Sequence, residues 1–146
     1  MTAVPTLVTC HANADFDAFA AMLAVRHLYA PCALLFPGTQ ERGLQKIAAS
    51  VDKERYSLCE SDEIDWDAVT RLVVVDTRQR DRLQHVGRLL DREGMRIEVW
   101  DHHPDSGDDV VPTVTHRAEV GAVTSLIVKA LSVADIRLDA DEATLL

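Results

Sequence analysis

The chain has 146 residues, inside the range of about 100–200 that one domain usually occupies, and its 47% hydrophobic and 27% charged residues exclude a disordered, collagenous or low-complexity chain. Fifteen basic against 24 acidic residues give a net charge of −9, which excludes a broad surface for coating nucleic acid but not a phosphate substrate, because cations held by clustered carboxylates reverse the sign locally. Neither a run of about 18 apolar residues nor a basic, then apolar, leader is present, so a soluble cytoplasmic protein without a membrane segment is expected.

Leu7-Val8-Thr9-Cys10 reads as a strand, and the spacing of Ala20, Leu23, Ala24 and Leu28 predicts a helix after it, stopped by Pro31. A second strand is expected at Ala33–Phe36, a turn at Pro37-Gly38, and helical composition from Gln40 to Val51. The acidic stretch Asp52–Asp67 is ambiguous, with a short strand around Tyr56-Ser57-Leu58. Leu72–Val75 is a continuous apolar run ending in Asp76, as in a strand covered on both faces. A helix follows over Leu83–Leu90, closed by Gly94; then come strands at Arg96–Trp100 and Val110–Thr115 and a helix at Ala122–Leu131. Alternation of strand and helix predicts an α/β fold, a doubly wound, mostly parallel sheet with helices on both faces. Asp139 and Glu142 have capping-box spacing, yet the apolar stripe of Leu145 and Leu146 stops after little more than one turn. The two leucines are expected to have nothing to pack on, and the chain is expected to be the N-terminal part of a longer protein. The three cysteines, Cys10, Cys32 and Cys59, lack C-x-x-C spacing and read as free thiols in a reducing compartment.

Three predicted strands end in metal-ligand types: His11-Ala12-Asn13-Ala14-Asp15-Phe16-Asp17, Asp76, and Asp101-His102-His103. In an open parallel sheet all C-terminal strand ends lie along one edge, so these groups converge there. So many carboxylates in one crevice repel one another unless cations are present. Oxygen and nitrogen donors without cysteine point to manganese or magnesium rather than structural zinc. The donors exceed the needs of one ion, and two ions bridged by one carboxylate suit in-line phosphoryl displacement, with Asp76 the natural bridge.

Each piece has a plainer reading. Asp15 or Asp17 could cap the first helix, Asp76-Thr77 could be a simple turn, and His-His-Pro could be solvated loop. Coincidence at three corresponding strand ends favours the metal site. His27 and His85 read as surface or packing residues; His116, at a strand end, could reach the crevice but is not counted among the ligands. Gly121–Ser125 could offer helix N–H groups to a phosphate, although such helix entries also occur without an anion. No Walker loop and no G-x-G-x-x-G follows a strand.

His-x-Asn-x-Asp-x-Asp, an apolar strand ending in Asp, and Asp-His-His together resemble the DHH-family phosphoesterases, which include RecJ-type exonucleases, family II inorganic pyrophosphatases and oligoribonucleotide or cyclic-dinucleotide phosphodiesterases. Asn13–Ala18, Phe36-Pro37-Gly38, Gly121–Ser125 and Glu142–Leu146 are similar to the DHH domain that precedes CBS domains and a nucleotidyltransferase in long bacterial proteins of the poly(A) polymerase or CCA-adding type. The resemblance implies that His11 and Asp15 bind one Mn2+ ion, Asp17 and His102 a second, and Asp76 both, with Mg2+ or Co2+ as alternatives. It implies that Asp101 orients a histidine, that His103 faces the substrate phosphate as donor or acid, and that Asn13 steadies the loop or the phosphate. The resemblance implies that the family's fourth motif, a Gly-Ile-x-x-Asp-Thr-Gly type segment whose aspartate completes the second metal shell, should follow Leu146 and is not reached in these residues. The second ion is therefore expected to bind weakly to these residues alone, with little activity.

The function expected is manganese-dependent hydrolysis of phosphoester bonds in nucleotides or short nucleic acids, within a longer poly(A) polymerase or CCA-adding type of protein whose further domains contact RNA. The competing readings are a non-catalytic nucleotide-sensing or interaction module of an RNA-modifying protein, and a plain doubly wound domain with accidental carboxylates.

Overall fold

Short β-branched and aliphatic runs pair into one parallel sheet. A computed structural model describes residues 1–146. Strands β1 (Thr6–Thr9), β2 (Cys32–Leu35), β3 (Arg71–Val75), β4 (Arg96–Asp101) and β5 (Val114–Arg117) lie in the order β2-β1-β3-β4-β5, every neighbour parallel. The chain runs outward from β1 to β2 and then crosses to β3 on β1's other side. That reversal opens a crevice between the C-terminal ends of β1 and β3, where folds of this order place their ligands.

Both faces of the central strands are buried, which is why Leu72–Val75 shows no alternation. Val8, Val73, Val75 and Trp100 face one core, packed by α1 (Phe16–Tyr29) and α4 (Val123–Val133), with Leu44 of α2 (Arg42–Ser50) and Tyr56 of α3 (Lys53–Tyr56) at its side. Eight consecutive residues of α1, Ala18–Val25, are buried, since the helix is enclosed by the sheet and α4; its alanines keep the packing close. Leu7, Leu72, Val74, Ile97 and Val99 face the second core.

That second face departs from expectation. Leu83, Val86 and Leu89 cover it, but the segment Arg80–Leu89 is 3-10 helix broken at Gln84 (φ 46°, ψ −126°), not the α-helix expected over Leu83–Leu90. Apolar spacing alone does not distinguish the two windings. Tyr56-Ser57-Leu58 is not a strand: Tyr56 ends α3, Ser57 turns left-handed (φ 57°), and Leu58 makes a single bridge to Leu34. The fifth strand starts at Val114, later than expected: Pro112 has no N–H to pair, the Val110 N–H donates to the Arg78 carbonyl, and Thr113 meets Ile97 through its N–H and its hydroxyl. The capping box of Asp139 and Glu142 starts α5 (Ala140–Leu145), and Leu145 and Leu146 do find a place to pack, against the α1/α4 core. Glu142, buried, joins α5 to Arg26 and to His27 (3.0 Å) on α1.

Candidate metal centre

Asp76 follows β3 directly and has left-handed backbone (φ 61°), while its N–H still donates to the Trp100 carbonyl at 2.9 Å. An aspartate there costs roughly 1–2 kcal/mol, and residues held this way cluster at functional sites. The turn aims the carboxylate into the crevice: Oδ2 stands 3.3 Å from His11 Nε2 and Oδ1 3.2 Å from His102 Nε2. Asp76 thus belongs to two groups of potential ligands, His11/Asp15/Asp76 and Asp76/His102/His103, in each of which one donor atom per residue lies within 4.8 Å of the others.

The imidazoles are oriented for ligation. His102 Nδ1 is 3.0 Å from the Val120 carbonyl, which makes it the protonated nitrogen and leaves the Nε2 lone pair facing Asp76; Asp17 Oδ2 is a further 3.8 Å neighbour. Burial alone would lower the pKa of His102, but the Val120 carbonyl and the Asp76 and Asp17 carboxylates outweigh it and raise the value above 6.5. His11, buried beside Asp15 (3.8 Å), behaves likewise: burial lowers, while Asp76 and the Ala12 carbonyl raise, and the net direction is upward. Asp76, in turn, has imidazole on both sides and is itself buried. Oxygen and nitrogen donors of this kind fit divalent cations such as Mn2+ or Mg2+.

Both aspartates of the first motif cap helices as well. Asp15 Oδ1 accepts the Ala18 N–H of α1 at 2.9 Å. Asp17 caps α4 rather than its own helix: its carboxylate accepts from Val123 N (2.9 Å), Thr124 N (3.1 Å) and Thr124 Oγ1 (2.6 Å). These N–H groups of the Gly121–Ser125 segment are therefore taken and are not open to a phosphate. His103, rather than Asp17, completes the three-residue group around His102.

Asp101, fully buried, supports His103: Oδ1 accepts from His103 Nδ1 at 2.6 Å, and Oδ2 accepts from Arg78 Nε at 2.9 Å. The half-exposed His103 ring therefore presents Nε2 as its available nitrogen. Arg78 also donates to Asp105 (2.7 Å) and to the His103 carbonyl (3.0 Å), clamping the loop after β4. Asn13 is exposed and left-handed (φ 54°), a conformation asparagine tolerates, and its backbone explains its presence. His116 lies away from the crevice, stacked on Trp100 at 3.9 Å and 3.6 Å from buried Glu98. His85 is exposed against the edge of Trp66. Burial pushes the Cys10 thiol well above its ordinary value, so it stays protonated next to the site. Sequence reasoning missed Arg78, Arg82 and Val120; only Arg78, two residues beyond a strand-end aspartate, stood close enough to a motif to be found.

Residues 5–146 match the model of the DHH family, N-terminal domain. The chain belongs to the DHH family. An A-adding tRNA nucleotidyltransferase of Geobacter sulfurreducens is 30% identical over 140 residues, which cover 96% of this chain and 16% of that protein's length. An exopolyphosphatase-related protein from Bacteroides fragilis shares the fold, with a TM-score of 0.66 and 16% identity, over 87% of this chain and 38% of the other. The DHH domain here is α/β with a single parallel sheet, and none of its helices is long and apolar enough to cross a membrane.

Proposed function

We propose that this DHH domain is a Mn2+-dependent phosphoesterase that hydrolyses phosphoester bonds of nucleotides or short nucleic acids, within a longer cytoplasmic protein of the tRNA nucleotidyltransferase kind. The observation that carries the reading is Asp76, whose two carboxylate oxygens face His11 and His102 and join two ligand groups in one crevice. His11 and Asp15 would hold one cation, His102 would hold a second with Asp17 in reach, and Asp76 would serve both; Mg2+ or Co2+ could serve in place of Mn2+. Bound cations supply charge neutralisation at phosphorus and a more acidic attacking water.

The chain's own residues do the rest. Val120 fixes His102 with Nε2 bare, and Asp101 takes the Nδ1 proton of His103 in a hydrogen bond. His103 Nε2, protonated, then donates to a phosphoryl oxygen or to the leaving oxygen, in the manner of a general acid. Arg78, donating to the other Asp101 oxygen, holds that carboxylate in place for the task. Asn13 shapes the first loop through its left-handed turn. The chain spans 16% of its nucleotidyltransferase relative, and the reading leaves substrate choice and RNA contact to segments outside these residues. The free thiols Cys10, Cys32 and Cys59 agree with a reducing, cytoplasmic location. Incubating the full-length protein with Mn2+ and a short oligoribonucleotide tests it: release of mononucleotide that Asp76→Asn abolishes supports hydrolysis, and cation-loaded wild type without any release contradicts it.

A further inference from the structure

Arg82 makes no ion pair with a carboxylate, and its side-chain partner is the imidazole of His11, with Nη2 2.9 Å from Nδ1. The same Nδ1 is 2.9 Å from the Ala12 carbonyl. A neutral imidazole nitrogen can donate to Ala12 or accept from Arg82, but not both. If Nδ1 accepts from Arg82, the ring proton sits on Nε2, pointing at Asp76. If Nδ1 donates to Ala12, Nε2 is bare and can ligate a cation, and Arg82 faces an N–H instead of an acceptor. Cation binding at His11 and the bond from Arg82 are therefore mutually exclusive.

A cavity of about 210 Å3 lies beside Arg82, between the 3-10 segment and the loop after β4, with Thr77, Arg78 and His103 on its wall. The acids of that wall are already engaged: Asp101 by Arg78 and His103, Asp105 by Arg78 and Arg117, Asp109 by Ser106. Arg78 is consumed by the same contacts, so Arg82 is the cation left for an incoming anion. None of its lining residues is a hydrophobic one, and its size suits a phosphate group. The backbone of Arg82 is fixed, its carbonyl accepting the Ala12 N–H at 2.8 Å, and the strained Gln84 two residues on shapes the segment that carries it.

We propose that Arg82 is a phosphate-binding residue held on His11 and released by cation loading, so that its guanidinium turns into the cavity and grips a substrate phosphate beside His103. A planar guanidinium suits the paired oxygens of phosphate. This rests on the phosphoesterase reading above and adds to it an order of events, cation first and phosphate second.

Calorimetric titration of the full-length protein with Mn2+, then of the loaded protein with inorganic phosphate, tests the proposal in wild type, Arg82→Ala and Arg82→Lys. Arg82→Ala is expected to bind Mn2+ as tightly as wild type or a few-fold tighter, and phosphate about tenfold more weakly, the effect of one charged hydrogen bond. Arg82→Lys restores part of the phosphate affinity. Nitrogen NMR without cations, at a pH above the folded His11 value so that the ring is neutral, should show the His11 proton on Nε2 in wild type and on Nδ1 in Arg82→Ala. Unchanged phosphate affinity in Arg82→Ala, or parallel loss of Mn2+ and phosphate, overturns the proposal while leaving the hydrolase reading intact. Failure of the wild type to take up Mn2+ overturns both.

Discussion

The carboxylate of Asp17 caps a helix that begins more than a hundred residues later, accepting the Thr124 hydroxyl at 2.6 Å and the Val123 and Thr124 N–H groups at 2.9 and 3.1 Å. This joins the start of α1 to the start of α4, the helix pair that covers one face of the sheet. Asp17→Ala strands three donors and should cost about 2 kcal/mol, read as a lower urea midpoint. A midpoint within experimental error of wild type would show the cap to be dispensable.

Arg78 joins Asp101, Asp105 and the His103 carbonyl from a nearly buried position. Arg78→Ala leaves the Asp101 carboxylate buried with one partner fewer, a loss of about 3 kcal/mol. Arg78→Lys should recover less than half of it, because an ammonium cannot reproduce the three-way fork. Urea denaturation of both variants reads the difference, and equal stability of the two would count against the clamp.

Protons and cations compete for the two ligating histidines. His11 and His102 are raised above 6.5 despite burial, by Asp76 with the Ala12 carbonyl in one case and by the Val120 carbonyl with Asp76 and Asp17 in the other. The folded chain holds these protons more tightly than the unfolded one, so with chelator present their stabilisation is full below pH 6.5 and is lost as pH rises through the folded values. Mn2+ affinity runs the opposite way, rising over the same window with proton release on binding. Urea midpoints in chelator and Mn2+ titrations in two buffers of different ionisation enthalpy measure both slopes; a pH-independent Mn2+ affinity across that window would contradict the assignment.

The broken 3-10 segment stores strain that one substitution can release. Gln84 has φ 46° and ψ −126°, a region that favours glycine, and its side chain lies against Gly38. Gln84→Gly should raise stability by about 1 kcal/mol in urea denaturation. Loss of stability instead would mean that the contact with the Gly38 turn outweighs the backbone strain.

The strand ends were legible because the signal there is chemical as well as periodic. Apolar runs closed by Asp76 and by Asp101-His102-His103 can hardly be anything but strands delivering polar groups to one edge, and the parallel order brings them together. The division of labour among the aspartates was not legible. Asp17 looks like a residue of its own helix, and its true partner, Thr124, is remote in sequence. Arg82 carries no motif; its nearness to His11 depends on a non-helical residue inside a segment whose apolar spacing reads as α-helix. The late start of β5 follows from Pro112, a local signal that the apolar flanks Val110 and Val111 obscure.

The account stands on the sharing of Asp76 by two cation sites, and Mn2+ titration of Asp76→Asn against wild type tests that most directly. Asparagine tolerates the same left-handed backbone, so the variant should still fold and unfold cooperatively in urea with chelator present. Wild type should take up Mn2+, and Asp76→Asn should bind it at least about a hundredfold more weakly, because the missing charge is removed from both ligand groups at once. Binding of Mn2+ by folded Asp76→Asn with wild-type affinity and stoichiometry would contradict it.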